Sequence, residues 1–264
     1  MENALLKPQA VNRIISRPSA PTRKRADDIF FTTMSVIMLA IVFMGFASGY
    51  FLRGAAFSHL PSLLVHLHGA VFSSWIILFV IQSSLVSAGN IRLHRKLGVA
   101  GAVIAGLMVV LGVLTPFGTL MRGAHLPSLF TPASFLIGNV LGILFFGAYV
   151  AVAVWKRNNR IVHKRLMLIA NAMLMSPALS RMAFPIMDHP RMTFPLMAHY
   201  PFLIGAIPMA MIVALFLFDL VRYKRPLAVT VIGGFLFWAF DPVSDFIINT
   251  QLSQHIASWA QHHP

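Results

Sequence analysis

The sequence predicts an all-α fold: a polytopic membrane helix bundle of seven transmembrane helices, with the amino terminus inside and the carboxyl terminus outside. Three observations carry this reading. First, 58% of the 264 residues are hydrophobic and only 11% charged, with a mean hydropathy of +0.77. A soluble domain carries about 25% charged residues, so too few polar side chains exist to coat a water-soluble core. Second, Lys, Arg, Asp and Glu are absent from Ile29–Leu52, Gly54–Ile91, Leu97–Met121, Gly123–Trp155, Leu166–Ser180 and Met192–Phe218. Most of these runs reach the ~20 residues needed to cross ~30 Å of hydrocarbon. Third, 17 of the 21 lysines and arginines fall on one side of the predicted spans. They are Lys7, Arg13, Arg17, Arg23, Lys24 and Arg25; Arg92, Arg95 and Lys96; Lys156, Arg157, Arg160, Lys164 and Arg165; and Arg222, Lys224 and Arg225. Arg53, Arg122, Arg181 and Arg191 lie on the other side. The positive-inside rule makes the richer side cytoplasmic.

The elements follow in order. Residues 1–28 form a polar, basic arm without an apolar stretch of signal-peptide length, so a disordered arm precedes an uncleaved anchor. Residues 29–248 form the bundle, with helices at Ile29–Leu52, Pro61–Ala88, Leu97–Leu120, Pro132–Val154, Leu166–Ala183, Pro201–Val221 and Pro226–Ile248. The fifth is short and kinked by Pro177. A count of six is the alternative if it does not span. The seventh carries Asp241 and Asp245 near its end. Residues 249–264 are left as an external carboxyl-terminal tail.

Composition also excludes. The chain has no cysteine, which removes disulfides, iron–sulfur clusters, cysteine-based zinc sites and a cysteine nucleophile. A net charge of +14 in a soluble protein would point to nucleic acid, but no aromatic-interleaved basic face accompanies it here. No lysine follows Lys224, so a retinal Schiff base has no partner in the seventh helix, and a cytoplasmic amino terminus opposes the receptor topology. No phosphate-binding G-x-x-x-x-G-K-[ST] run, no H-E-x-x-H and no G-x-S-x-G occurs.

Two internal similarities stand out. Asn90–Leu97 and Asn159–Leu166 share the form N-x-x-x-H-[RK]-[RK]-L, each opening an odd-numbered helix on the cytoplasmic side. Such a match is consistent with a duplicated helix pair. Arg181-Met-Ala-Phe-Pro-Ile-Met-Asp-His189-Pro is followed directly by Arg191-Met-Thr-Phe-Pro-Leu-Met-Ala-His199, a tandem copy whose prolines predict an irregular external loop.

Several motifs together resemble a family of bacterial integral membrane proteins. They are Val65-His-Leu-His-Gly69, Trp75, Gln82, Leu93-His-Arg-Lys-Leu-Gly98, His163-Lys-Arg-Leu-Met167 and Ser176-Pro-Ala-Leu-Ser-Arg181. The resemblance covers roughly residues 36–225. It implies a multi-pass protein of the bacterial inner membrane and supplies no established activity. The tandem copy departs from the family pattern, which has one such segment. A partial likeness to the two-haem transmembrane b-type cytochromes implies haem b held between His94 and His163 at the cytoplasmic face. The fourth helix, however, lacks the histidine that pattern would place there.

The candidate site residues each have a structural alternative. At 100° per residue His66 and His68 point about 200° apart, so a regular helix aims only one of them at the bundle. His68 shares a stripe with Trp75 and Gln82, and His66 shares one with Ala70 and Ser73. Buried ionisable groups are costly and mark functional sites, although hydrogen bonding alone could account for them. His94 and His163 sit in basic clusters that equally suit topology and anionic lipid at the membrane face. Met187 and Met197 with His189 and His199, like Met182 and Met192 beside them, offer thioether and imidazole ligands for copper. Asp241 and Asp245, one turn apart, share a face near the outer end of the seventh helix, where a salt bridge to Arg181 would offset their burial. Asp219 reads as a local ion-pair partner of the Arg222–Arg225 cluster.

Depth joins three of these groups into an outer site. His68 is seven residues into a helix that starts outside, about 10 Å down at 1.5 Å per residue, and Asp241 lies equally far before the end of a helix that finishes outside. Arg181 ends the fifth helix near that level. His68, Arg181 and Asp241 should therefore converge, with His66 and Asp245 as second candidates.

Two function classes remain. One is a non-enzymatic transporter, sensor or assembly accessory with a polar intramembrane ligand site. The other is a redox protein holding haem b at His94 and His163, or copper at the outer histidines. The charge split gives the first testable outcome. Reporter fusions after Lys96 and Arg225 should read cytoplasmic, and one after Asn249 external. A cytoplasmic reading at Asn249 would mean that the fifth or seventh helix does not span.

Overall fold

A computed structural model describes residues 20–51, 62–126, 130–187 and 200–262, and all regular structure among them is helical. In chain order the helices are α1 (Ala20–Phe46, running into a π-helical turn at Ala47–Phe51), α2 (Leu63–Ser87), α3 (Ile91–Met121), α4 (Pro132–Trp155), α5 (Arg160–Met173), α6 (Met175–Met187), α7 (Tyr200–Tyr223), α8 (Ala228–Ile248) and α9 (Gln251–His262). Six segments are long and apolar enough to cross a membrane: Arg25–Phe46, α2, α3, α4, Leu203–Tyr223 and α8. The chain is a multi-pass membrane protein.

Capping sets the helix starts. The Asn90 side chain accepts from the Leu93 N–H (3.1 Å), and that of Asn159 accepts from Ile161 (3.1 Å) and Val162 (3.3 Å). These asparagines satisfy amide donors that the first turn of a helix leaves free. The shared N-x-x-x-H pattern is therefore a cap followed one turn later by a histidine. The helices expected at Leu97 and Leu166 begin at Ile91 and Arg160 instead, which moves His94 and His163 into helical first turns.

The expected fifth span is two helices that meet at Leu174. The pyrrolidine ring of Pro177 clashes with the carbonyl four residues earlier, Met173, and α5 ends there. The pair nonetheless runs alongside α1. Lys164 at its start forms an ion pair with Asp27, and Ala178 near its end abuts Gly45, where an added Cβ would stand 2.8 Å from the Ala178 Cα. Asp27 to Gly45 spans roughly 27 Å of helix rise. Only glycine permits this approach of α1 to α6.

α5 occupies the centre of the bundle. Leu168, Ile169, Ala170, Asn171 and Ala172 are all fully buried. Asn171 accepts a hydrogen bond from Trp75 Nε1 (2.9 Å) and donates to the Met167 carbonyl (2.8 Å), tying α5 to α2. Arg165 is also fully buried. Its Nε donates to both oxygens of Asp219 (3.1 and 2.9 Å), its Nη2 pairs with Oδ1, and its Nη1 donates to the Ile161 carbonyl (2.9 Å). Thr230 of α8 donates to the same carboxylate. Asp219 is thus not a local partner of the Arg222–Arg225 cluster; it neutralises an arginine 54 positions away. Arg222 turns instead to Asp27, with its Nε 2.9 Å from Oδ1.

The segment expected as a carboxyl-terminal tail is helical from Gln251 to His262. Ser253, Ala257 and Ala260, at positions i, i+4 and i+7, form its buried face, which packs by Leu120 of α3 and by Ala133 and Leu136 of α4. α9 therefore closes the bundle end opposite Arg165.

Removing one member of a buried pair leaves an uncompensated charge, at a cost of about 3–5 kcal/mol. Asp219→Asn and Arg165→Met should each lower the thermal unfolding midpoint in detergent markedly. The double variant Arg165→Met/Asp219→Leu should lose less than the two singles combined. Additive losses would show that the two side chains do not stabilise each other.

Candidate functional site

A cavity of about 1300 Å³ lies between α1–α4 and α6–α8, in the half of the bundle remote from Arg165. It exceeds the ~300–1,000 Å³ of ordinary small-molecule sites. Prolines shape it. Pro116 of α3, Pro177 of α6 and Pro208 of α7 all line it, and each lacks the N–H that would bond the carbonyl four residues back. Those carbonyls belong to Gly112, Met173 and Ile204, which are also on the wall. Carbonyls freed in this way are tolerated at membrane depth where they line a cavity.

His68 of α2, Arg181 of α6 and Asp241 of α8 line this one cavity. The second candidates do not. His66 turns to Tyr50, with its Nδ1 3.2 Å from the phenol oxygen, as the 200° separation from His68 requires. Asp245 is off the wall. Gly69 admits the Tyr50 ring, since an added Cβ would lie 2.8 Å from its hydroxyl oxygen.

The polar groups of the cavity are incompletely partnered. The His68 ring stacks on Phe72 at 4.0 Å, and its buried Nδ1 has no hydrogen-bond partner among the described residues. The same holds for Thr115 Oγ1. Arg181 donates from Nη1 to the Pro177 carbonyl (3.0 Å) and places its guanidinium carbon 4.6 Å from the Phe46 ring centre. Among the described residues no ion pair joins Arg181 to Asp241, contrary to the salt bridge the sequence allowed. By contrast Ser73 donates to the Gly69 carbonyl (2.6 Å) and Asn139 to that of Phe135 (2.6 Å), so both are satisfied along their own helices.

At the opposite, basic end the His94 and His163 rings are 6.4 Å apart, with planes at 83°. His163 Nδ1 lies 2.8 Å from the Ala153 carbonyl, which makes it the donor and leaves Nε2 with a lone pair. His94 Nδ1 and Gln82 Oε1 are buried without partners. Two imidazoles bound to one iron at ~2 Å per bond place their centres roughly 6 Å apart, so the separation fits one metal between them. Among the described residues no three His, Asp or Glu side chains converge as a closed metal site. The copper candidates His189, His199 and Met197, and the side chain of Met187, lie outside the described residues.

The chain matches no family model, no curated protein and no solved structure.

Sequence reasoning singled out His68, Arg181 and Asp241, which line the cavity, but not Thr115 or the prolines Pro116 and Pro208, which also line it. The signal for the prolines was present, as three apolar helices carry an interior proline at similar depth. Thr115 carries none, because a threonine in an apolar helix normally bonds its own backbone.

The absence of cysteine permits a direct test of the cavity. Ser73→Cys, on its wall, should react at least about ten-fold faster with a membrane-impermeant thiol reagent added outside than Ser83→Cys, which lies off it, since only the thiolate in water attacks. Equal rates would mean that the cavity does not reach the external solution.

Proposed function

We propose that this chain is a non-enzymatic ligand-binding protein of the bacterial inner membrane, acting as a transporter, sensor or assembly accessory. It crosses seven times, with the basic end in the cytoplasm and α5–α6 as the fifth crossing. The 17-to-4 charge asymmetry and the course of α5–α6 along α1 support this arrangement. His68, Arg181 and Asp241 bind the ligand in the outer cavity. One observation carries the reading: three ionisable side chains from three helices line one cavity, and no ion pair among the described residues joins Arg181 to Asp241. A ligand of complementary charge would gain charge-assisted hydrogen bonds from these side chains.

Native mass spectrometry of the protein released from its own membrane tests this. The wild type should carry a bound non-protein mass, and His68→Ala and Arg181→Gln should lose it while remaining folded. Loss of folded protein in both variants, or a bare wild type, would favour a structural role for these residues.

The histidine pair favours a second reading, haem b held by His94 and His163. Their 6.4 Å separation and the His163–Ala153 bond, which fixes a ligating tautomer, support it. Bound there, haem would supply one-electron transfer near the cytoplasmic face. His163 would present Nε2, and Ala153 would hold its ring in place. The ligand-binding reading expects no Soret band in the purified protein. A Soret band abolished by His163→Ala would replace it with the redox reading.

A further inference from the structure

We infer that the cavity ligand is a zwitterionic amphiphile, with a negatively charged group at Arg181, an ammonium at Asp241 and a hydrocarbon chain along the apolar wall. This inference rests on the cavity reading above and narrows it to a ligand class. Arg181 and Asp241 face the same space without pairing to each other. A simple anion would satisfy the arginine and be repelled by the carboxylate. A simple cation would meet the reverse. A headgroup carrying both charges answers both residues.

The remainder of the wall calls for hydrocarbon. Val42, Phe72, Ile76, Ile143 and Phe237 line the cavity below the charged groups and offer an apolar surface that suits a hydrocarbon chain. The wall on α7 is not sealed either. Val213 and Leu217 line the cavity yet are 47% and 53% exposed. At membrane depth such an opening admits an acyl chain from the bilayer rather than a hydrated solute. The volume, about 1300 Å³, is also larger than a small polar ligand needs.

The test is titration of detergent-purified protein, followed by native mass spectrometry, with lysophosphatidylethanolamine and lysophosphatidylglycerol of one chain length. The first is zwitterionic and the second anionic. Hexadecanoate and inorganic phosphate are run as competitors to separate a lipid source from a free anion. The wild type should bind the zwitterion about ten-fold tighter than the anionic lipid, as a single charge pair allows. Asp241→Asn should erase that preference and Asp241→Glu should keep it. Arg181→Gln should weaken both lipids by about ten-fold, and Arg181→Lys should retain most of the binding. Inorganic phosphate should not compete.

Equal affinity for the two lipids, or an unchanged preference in Asp241→Asn, would overturn the inference. So would full competition by inorganic phosphate or hexadecanoate. If the membrane-extracted protein carries an Arg181-dependent mass that neither lysolipid displaces, the zwitterion is wrong and the cavity reading stands. If no Arg181-dependent mass is found at all, both fall.

Discussion

No water reaches Arg165, so its charge must be neutralised from inside the bundle, and Asp219 is the group that does it. Both side chains have zero exposed surface. The pair joins α5 to α7, Thr230 adds α8, and the neighbouring Asp27–Lys164 and Asp27–Arg222 bridges add α1. A broken helix such as α5–α6 has neither the length nor the unbroken hydrogen-bond ladder of its neighbours. It is held in the middle of the bundle by these charges at one end, by the Trp75–Asn171 bond midway and by the Gly45–Ala178 approach at the other. In an apolar medium, where helices gain little from hydrophobic contact with each other, such polar and close-packed contacts set the arrangement.

The two ends of the molecule treat charge differently. At the basic end each buried carboxylate has a cation and each buried cation a carboxylate. At the far end Arg181 and Asp241 face one cavity without an ion pair between them, and the His68 ring nitrogen has no partner among the described residues. The prolines enlarge this contrast. Pro116, Pro177 and Pro208 each remove one backbone N–H donor where the cavity lies, while the helix around Arg165 keeps its full ladder. Satisfied polar groups stabilise the fold, whereas unsatisfied ones beside open space remain available to a ligand.

Much of this was legible in the sequence because a bilayer ties position along a helix to depth. A rise of 1.5 Å per residue was enough to bring His68, Arg181 and Asp241 to one level, and 100° per residue was enough to separate His66 from His68. Other features depend on contacts that no local rule encodes. Asp219 sits beside a basic cluster in sequence, but its partner lies on another helix. The starts of α3 and α5 lie ahead of their apolar runs, because the capping asparagines Asn90 and Asn159 begin the helices in polar, basic sequence that hydropathy does not mark. Hydropathy alone also could not reveal that α5–α6 is divided at Leu174, or that Gln251–His262 folds back as a helix.

Cryo-electron microscopy of the protein in nanodiscs formed from its own membrane tests the central claim most directly, because it images the cavity with whatever occupies it. The account predicts non-protein density bridging Arg181 and Asp241 and continuing past Phe72 and Phe237 toward the opening by Val213 and Leu217. A closed cavity with the Arg181 guanidinium bound directly to Asp241 would contradict it.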